Sequence, residues 1–238
     1  MTSQAELKQY ASLRMPKFRQ KYGQFIVEGR KAVYEVFHSH FKVDKILCTK
    51  WYFDKNNPEL PCDVISDEDS NRLSQFDTPP GIMAIVHIPQ TPVWNSNQQL
   101  TLALDGISDP GNMGTLIRIA DWYGIKQILL SNDCVDVYNN KCIAASMGSF
   151  IRIDCIYGEL QEILSDKFVL GAYLKGNSLY ETKLSEPTVL LIGSESHGIR
   201  EHLQPLITHS ITIPRVGEAE SLNAAVATAI MVDRLMVK

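Results

Sequence analysis

The chain has 238 residues and a net charge of −4, with 45% apolar and 21% charged residues. That length and balance allow one large core or two smaller ones, and no uninterrupted apolar run is long enough to cross a bilayer. Five cysteines with no CxxC spacing argue against a disulfide framework or a zinc site, and the polar amino end MTSQAELKQYASLRMPKFRQ has no apolar signal segment, so the expectation is reduced thiols in the cytoplasm.

Charge is unevenly spread. Residues 1–50 carry ten Lys or Arg against four Asp or Glu, whereas residues 51–238 carry thirteen against twenty-three. A basic end on an acidic body is what a chain shows when one part meets phosphates, as Arg14, Lys17, Arg19 and Lys21 could. A solvated basic helix would give the same count.

In chain order, Gln24–Val27 reads as a strand, Lys31–Phe41 as a helix with Val33, Val36 and Phe37 on one face, and Val43–Cys48 and Asp63–Ser66 as strands. Asp67–Phe76 reads as a helix and Gly81–Ile88 as a strand. These make a small α/β module within residues 1–90. PQTPVWNSNQQ (89–99) has two prolines, two asparagines and no charge, which predicts a linker over 91–99.

Beyond it the strands turn continuously apolar: LTLALD (100–105), KQILLS (126–131), KFVLGAYL (167–174), PTVLLIG (187–193) and HSITIP (209–214). Helical stretches fall between and after them, at Thr115–Tyr123, Tyr138–Met147, Gly158–Leu164, Ile199–Ile207 and Leu222–Met236. This pattern predicts an open, doubly wound parallel sheet over residues 100–238. Ligands of such sheets sit beyond the carboxyl ends of the strands.

Three loops at those ends carry candidate chemistry. DGISDPGNMGTLIRIADWYGI (105–125) opens a helix with bare glycines, but it is neither GxGxxG nor a phosphate-binding P-loop, which argues against a nucleotide-dependent oxidoreductase. On spacing alone, Arg118 reads as an i,i+3 ion pair with Asp121. In LLIGSESHGIREHL (190–203), Glu195 could simply favour the amino end of the helix that follows, and His197 is assigned no role. In ITIPRVGEAESLNAAVATAIMVDRL (211–235), Ser221 or Asn223 could cap an Ala-rich helix.

Taken together and in this order, these loops resemble the three signature motifs of the SpoU (TrmH-type) RNA methyltransferases. The matching residues are Asn112-Met113-Gly114 with Arg118 and Ala120; Gly193, Glu195 and Gly198; and Ile213-Pro214 with Glu220-Ser221-Leu222-Asn223 and Ala227. The first 90 residues more loosely resemble the substrate-binding domain many such enzymes carry, through FIVEG (25–29), VDKILC (43–48) and PPGIMAIV (79–86). The resemblance implies a C-terminal trefoil knot and a homodimer. It implies S-adenosylmethionine held by Gly193, Ile213 and Leu222, and methyl transfer to a ribose 2′-hydroxyl. Arg118, Asn112, Glu195, Ser221 and Asn223 would form the catalytic set, and no metal is required. Ser196 and Arg215 depart from the family pattern, standing where glycine and an apolar residue are common. The N-terminal domain favours ribosomal RNA as substrate. A transfer-RNA methyltransferase and an inactive RNA-binding relative are the alternatives.

Overall fold

A computed structural model describes residues 2–184 and 186–237. The chain divides into two compact units. The first holds residues 1–90 together with 138–151, and the second holds 91–137 and 152–238.

The first unit opens with two helices. In α1 (Gln4–Ser12), the Ser3 hydroxyl accepts from Glu6 N while the Glu6 carboxylate accepts from Ser3 N, so two helix-end amides are satisfied reciprocally. The Ser3 amide and Lys45 hold the Glu6 carboxyl down at about 2. α2 (Pro16–Tyr22) starts on proline and stops at Gly23, where φ is +61°. Then follow β1 (Gln24–Glu28), α3 (Arg30–Phe37), β2 (Val43–Thr49), α4 (Lys50–Asn56), β3 (Asp63–Ile65), α5 (Asp67–Leu73) and β4 (Ile82–His87). The sheet order is β1-β4-β2-β3, with β4 antiparallel to both neighbours and β2 parallel to β3. Alternation along the strands sends Ile26, Leu47, Met83 and Ile85 to a core closed by Leu7, Tyr10, Leu13 and Leu73. Phe25 instead packs on Tyr138, with ring centroids 4.5 Å apart and the rings tilted by 35°, and meets Phe41 and Phe150 edge-on.

Of the basic residues expected to meet phosphates, Arg19 is buried in this unit, whereas Arg14 stays exposed while donating to main-chain carbonyls. Arg19 is 2% exposed and donates to the carbonyls of Leu13 and Arg14, closing the end of α1. Arg14 donates to the carbonyls of Asn71 and Ser74. A charge count cannot separate cations that cap carbonyls from cations that face solvent.

The second unit begins with the segment expected to be a linker, which is pinned to its own sheet. Gln127 accepts from Asn95 N and donates to Val93 O, and Trp94 packs onto the core. Its elements are β5 (Leu100–Asp105), α6 (Pro110–Trp122), β6 (Gln127–Ser131), β7 (Asp154–Gly158), α8 (Leu160–Ile163), β8 (Phe168–Ser178), β9 (Thr188–Gly193) and β10 (His209–Thr212), closed by the last helix (Ala224–Met236). The helix Asn140–Ser146, α7 in chain order, belongs to the first unit, so the final helix is α9. The six strands are all parallel in the order β10-β8-β9-β5-β6-β7, the predicted open sheet. Two expectations fail locally. DCIYG forms a strand running through Gly158, where a helix start was expected, and residues 201–206 form a 3-10 helix interrupted by Pro205.

Candidate active site

All three signature loops lie at the carboxyl edge of the parallel sheet, where β5, β9 and β10 end. The first becomes α6, whose amino end is capped by Asp109, with Pro110 as its first residue. This places Asn112 in the first turn.

Asn112 Nδ2 donates to Glu195 Oε1 at 2.5 Å, and Asn112 Oδ1 accepts from Asn223 Nδ2 at 2.9 Å. Asn223 Oδ1 caps α9 by accepting from Ala225 N and Val226 N. Glu195 Oε1 also takes the Ala224 amide at 3.4 Å, so the ring returns to the start of α9. One side chain from each loop is thereby held in a single hydrogen-bond network, and each amide orientation is fixed by its partners. Glu195 therefore serves the amino end of α9 rather than that of the helix after it in sequence. Asn223 is a helix cap and a network member at once.

Arg118 lies on the solvent side of α6, and no hydrogen bond or ion pair engages it among the described residues. Its expected surface partner is taken: Asp121 receives a two-pronged contact from Arg152, with Nη2 at 2.7 Å and Nε at 2.9 Å. At 100° per residue, Arg118 sits about 120° around the helix from Asn112, so it stands apart from the ring. Ser221 and His197 are exposed, and His197 Nδ1 lies 2.9 Å from the Ser196 hydroxyl.

Gly193 ends β9 where only glycine fits. A Cβ there would come within 2.1–2.3 Å of the Gly198 carbonyl group and Ile199 N, all backbone. The turn 194–198 folds back over it through the Gly198 N to Ser194 O bond, and Gly198 takes φ +66°. Ile213 follows β10, and Leu222, just before α9, is 46% exposed.

One constellation was missed from sequence. Asp105, at the end of β5, has a fully buried carboxylate that accepts from Arg200 N at 2.9 Å and Arg200 Nε at 2.6 Å. The same guanidinium reaches Asp133 Oδ1 at 3.2 Å. Hydrogen bonding from Ser131, aided by Arg200, holds the Asp133 carboxyl below the ordinary range, and the Asp105 contact raises Arg200. Arg200 thus fastens the loop after β9 to the ends of β5 and β6. The partners lie 95 and 67 residues apart, and no local signature announces them.

Comparison with known proteins places the family. Residues 99–233 match the model of the SpoU rRNA Methylase family, and residues 4–84 match the MRM3-like substrate binding domain. The chain belongs to the SpoU family. It is 29% identical to the 23S rRNA (guanosine(2553)-2′-O)-methyltransferase RlmP of Bacillus subtilis, over 97% of this chain and 95% of that one. It is 30% identical to an uncharacterized tRNA/rRNA methyltransferase of Synechocystis, over 94% and 88%. A solved TrmH-family structure from Porphyromonas gingivalis superposes with a TM-score of 0.86 at 35% identity, covering 98% of each chain. An AdoMet-bound rRNA methyltransferase from Sinorhizobium meliloti superposes at 0.85 with 25% identity, covering 98% of this chain and 95% of that one.

Proposed function

We propose that this SpoU-family protein transfers a methyl group from S-adenosylmethionine to a ribose 2′-hydroxyl of ribosomal RNA. The observation that carries the reading is the Asn112–Glu195–Asn223 ring, which draws one residue from each signature loop to one end of the sheet.

The cofactor's residues fit. Gly193 leaves bare backbone at the end of β9, and Ile213 and half-exposed Leu222 add apolar surface without charge. When bound, S-adenosylmethionine supplies a methyl group already activated by the sulfonium. The protein's part is to hold the hydroxyl in line while its proton passes to solvent water, and to stabilise the negative charge that the departing proton leaves on the oxygen as the methyl–sulfur bond breaks. Arg118 is the group for this. A guanidinium stays protonated, so it is no free base, but its planar fork can hold an RNA phosphate and the 2′-oxygen together. Asn112, Glu195 and Asn223 shape the wall of the site, and Ser221 contributes a hydroxyl beside it.

The site is completed by a second copy of the chain. Trp122 is 81% exposed one turn beyond Arg118 on the same stripe of α6, and Val226 on α9 is 50% exposed. A monomer gains nothing from leaving both in water, and a homodimer covers them. Family membership also implies that the C-terminal segment is threaded as a trefoil knot. A cytoplasmic location is part of this proposal and accords with action on ribosomal RNA. No helix among the described residues is long and apolar enough to cross a membrane.

Calorimetry with S-adenosylmethionine should show micromolar affinity, on the order of −8 kcal/mol. Mapping of 2′-O-methyl groups should lose one site in ribosomal RNA from a strain lacking the protein. A folded protein that binds no cofactor, alone or with RNA, contradicts the proposal.

A further inference from the structure

We infer that Cys48 and Cys62, in the first unit, form a reversible oxidation site, which a hydroperoxide converts to a disulfide between β2 and the loop before β3. Neither thiol lies in a signature loop, so oxidation and methyl transfer are separate properties of the chain.

The fold brings the two sulfurs together. β2 and β3 run parallel, with Leu47 opposite Asp63. Cys48 follows that pair and Cys62 precedes it, so alternation sends both side chains to the face opposite Leu47. Cys48 Sγ donates to Cys62 Sγ at 3.1 Å, across 14 positions of sequence. Between them lie α4 and the loop NPELPC (57–62), in which Pro58 and Pro61 each fix a backbone angle. Leu60 is buried, which anchors the loop just ahead of Cys62. A disulfide holds its sulfurs about 2.05 Å apart, so closure asks for a movement of about 1 Å.

The two thiols are unlike. Cys48 is buried, whereas Cys62 is half-buried and within reach of solvent. Burial, with the bond to Cys62, pushes the Cys48 thiol up to about 12, so it stays protonated and inert toward an oxidant in solution. Cys62 is the sulfur that meets the oxidant, and the Cys48 S–H beside it donates toward charge growing there. Other thiols lack this arrangement. Cys134 Sγ is engaged by the Ser131 hydroxyl and the Leu104 carbonyl, and half-buried Cys155 makes no hydrogen bond to another thiol among the described residues.

The order of events follows from this asymmetry. The Cys62 sulfur attacks one oxygen of hydrogen peroxide, the O–O bond breaks, and hydroxide leaves with the thiol's proton as water. Cys62 is then a sulfenic acid. The Cys48 sulfur attacks the Cys62 sulfur, the S–O bond breaks, and the hydroxyl leaves with the Cys48 proton as a second water. The thiols have lost two electrons and two protons, and the peroxide has gained both. A dithiol reductant reverses the step by thiol–disulfide exchange. In a reducing compartment the pair rests as thiols and the disulfide is transient.

The test treats the full, reduced chain with hydrogen peroxide, alkylates the remaining thiols and reads masses under denaturing conditions without reductant. The free-thiol count should fall from five to three on a species of single-chain mass. Cleavage after Lys and Arg should yield residues 46–50 joined to residues 56–72, two hydrogens lighter than the separate peptides. Dithiothreitol should restore all five thiols. Cys62→Ser, a change on a half-buried loop, should keep its other four thiols reduced at the same dose. In Cys48→Ser the link should be lost and Cys62 should persist as a sulfenic acid that dimedone captures. A wild-type chain whose two peptides stay unlinked at a dose that oxidises Cys155 overturns the site. So does a link from either cysteine to a different one, or oxidation of Cys62 to the sulfinic acid while Cys48 remains a free thiol.

Discussion

Asn223 and Asn112 lie 111 positions apart in sequence and share a hydrogen bond of 2.9 Å, Asn223 Nδ2 donating to Asn112 Oδ1. The bond splits the work of Asn223: its oxygen caps α9, and its nitrogen orients the first signature loop.

Asn223→Asp separates those two tasks. Aspartate caps a helix as well as asparagine does, so the melting temperature should hold or rise slightly. It cannot donate to Asn112, so the ring opens and a carboxylate faces Glu195. Turnover should fall by about tenfold or more, read by methyl-transfer kinetics beside a thermal melt. Equal activity would mean that the ring is only scaffolding.

Arg200→Ala tests the clamp. It strips the guanidinium from the buried carboxylate of Asp105, leaving that carboxylate only the Arg200 main-chain amide among the contacts seen here. Arg200 is itself 38% exposed, so water repairs part of the loss, and the expected cost is about 2–3 kcal/mol by chemical denaturation. Arg200→Lys should recover part of it.

A pH dependence follows from Glu28. It is 7% exposed and accepts from Ser74 Oγ at 2.5 Å, Gln75 N at 3.0 Å and Asn140 Nδ2 at 3.2 Å. Burial raises its pKa against the lowering effect of the Ser74 and Gln75 bonds. A carboxyl with a raised folded pKa favours the protonated fold. Its contribution is full below the unfolded value, near 4.5, and is lost as pH climbs through the folded one. Denaturation at stepped pH above 4.5 should show a decline that Glu28→Gln flattens. An identical slope in that variant would assign the decline to other groups.

The sequence made the parallel sheet legible because strands buried on both faces read as unbroken apolar runs, as LTLALD and TVLLIG do. DCIYG escaped because only Ile156 among its five residues is buried. α4 was not read, since seven residues give little periodicity, and the helix is held by its Thr49 cap and Tyr52. In the site, the family resemblance implies one set of Arg118, Asn112, Glu195, Ser221 and Asn223, of which Asn112, Glu195 and Asn223 share a hydrogen-bond network. Motif order could not tell that Arg118 stands around the helix from Asn112. The Asp105–Arg200–Asp133 clamp joins three separate strand ends, and only the folded sheet makes them neighbours.

The most direct test of the enzymatic account is single-turnover methyl transfer to ribosomal RNA by Arg118→Ala. Arg118 is exposed on α6, and Asp121 is already paired with Arg152, so its removal should cost at most about 0.5 kcal/mol of stability and leave cofactor affinity intact. The rate should fall by roughly 10²–10⁴, as loss of a charge-stabilising group in a transition state commonly produces. Arg118→Lys should recover little, because an ammonium lacks the planar fork. An alanine variant with a near wild-type rate would remove Arg118 from the site and contradict the mechanism.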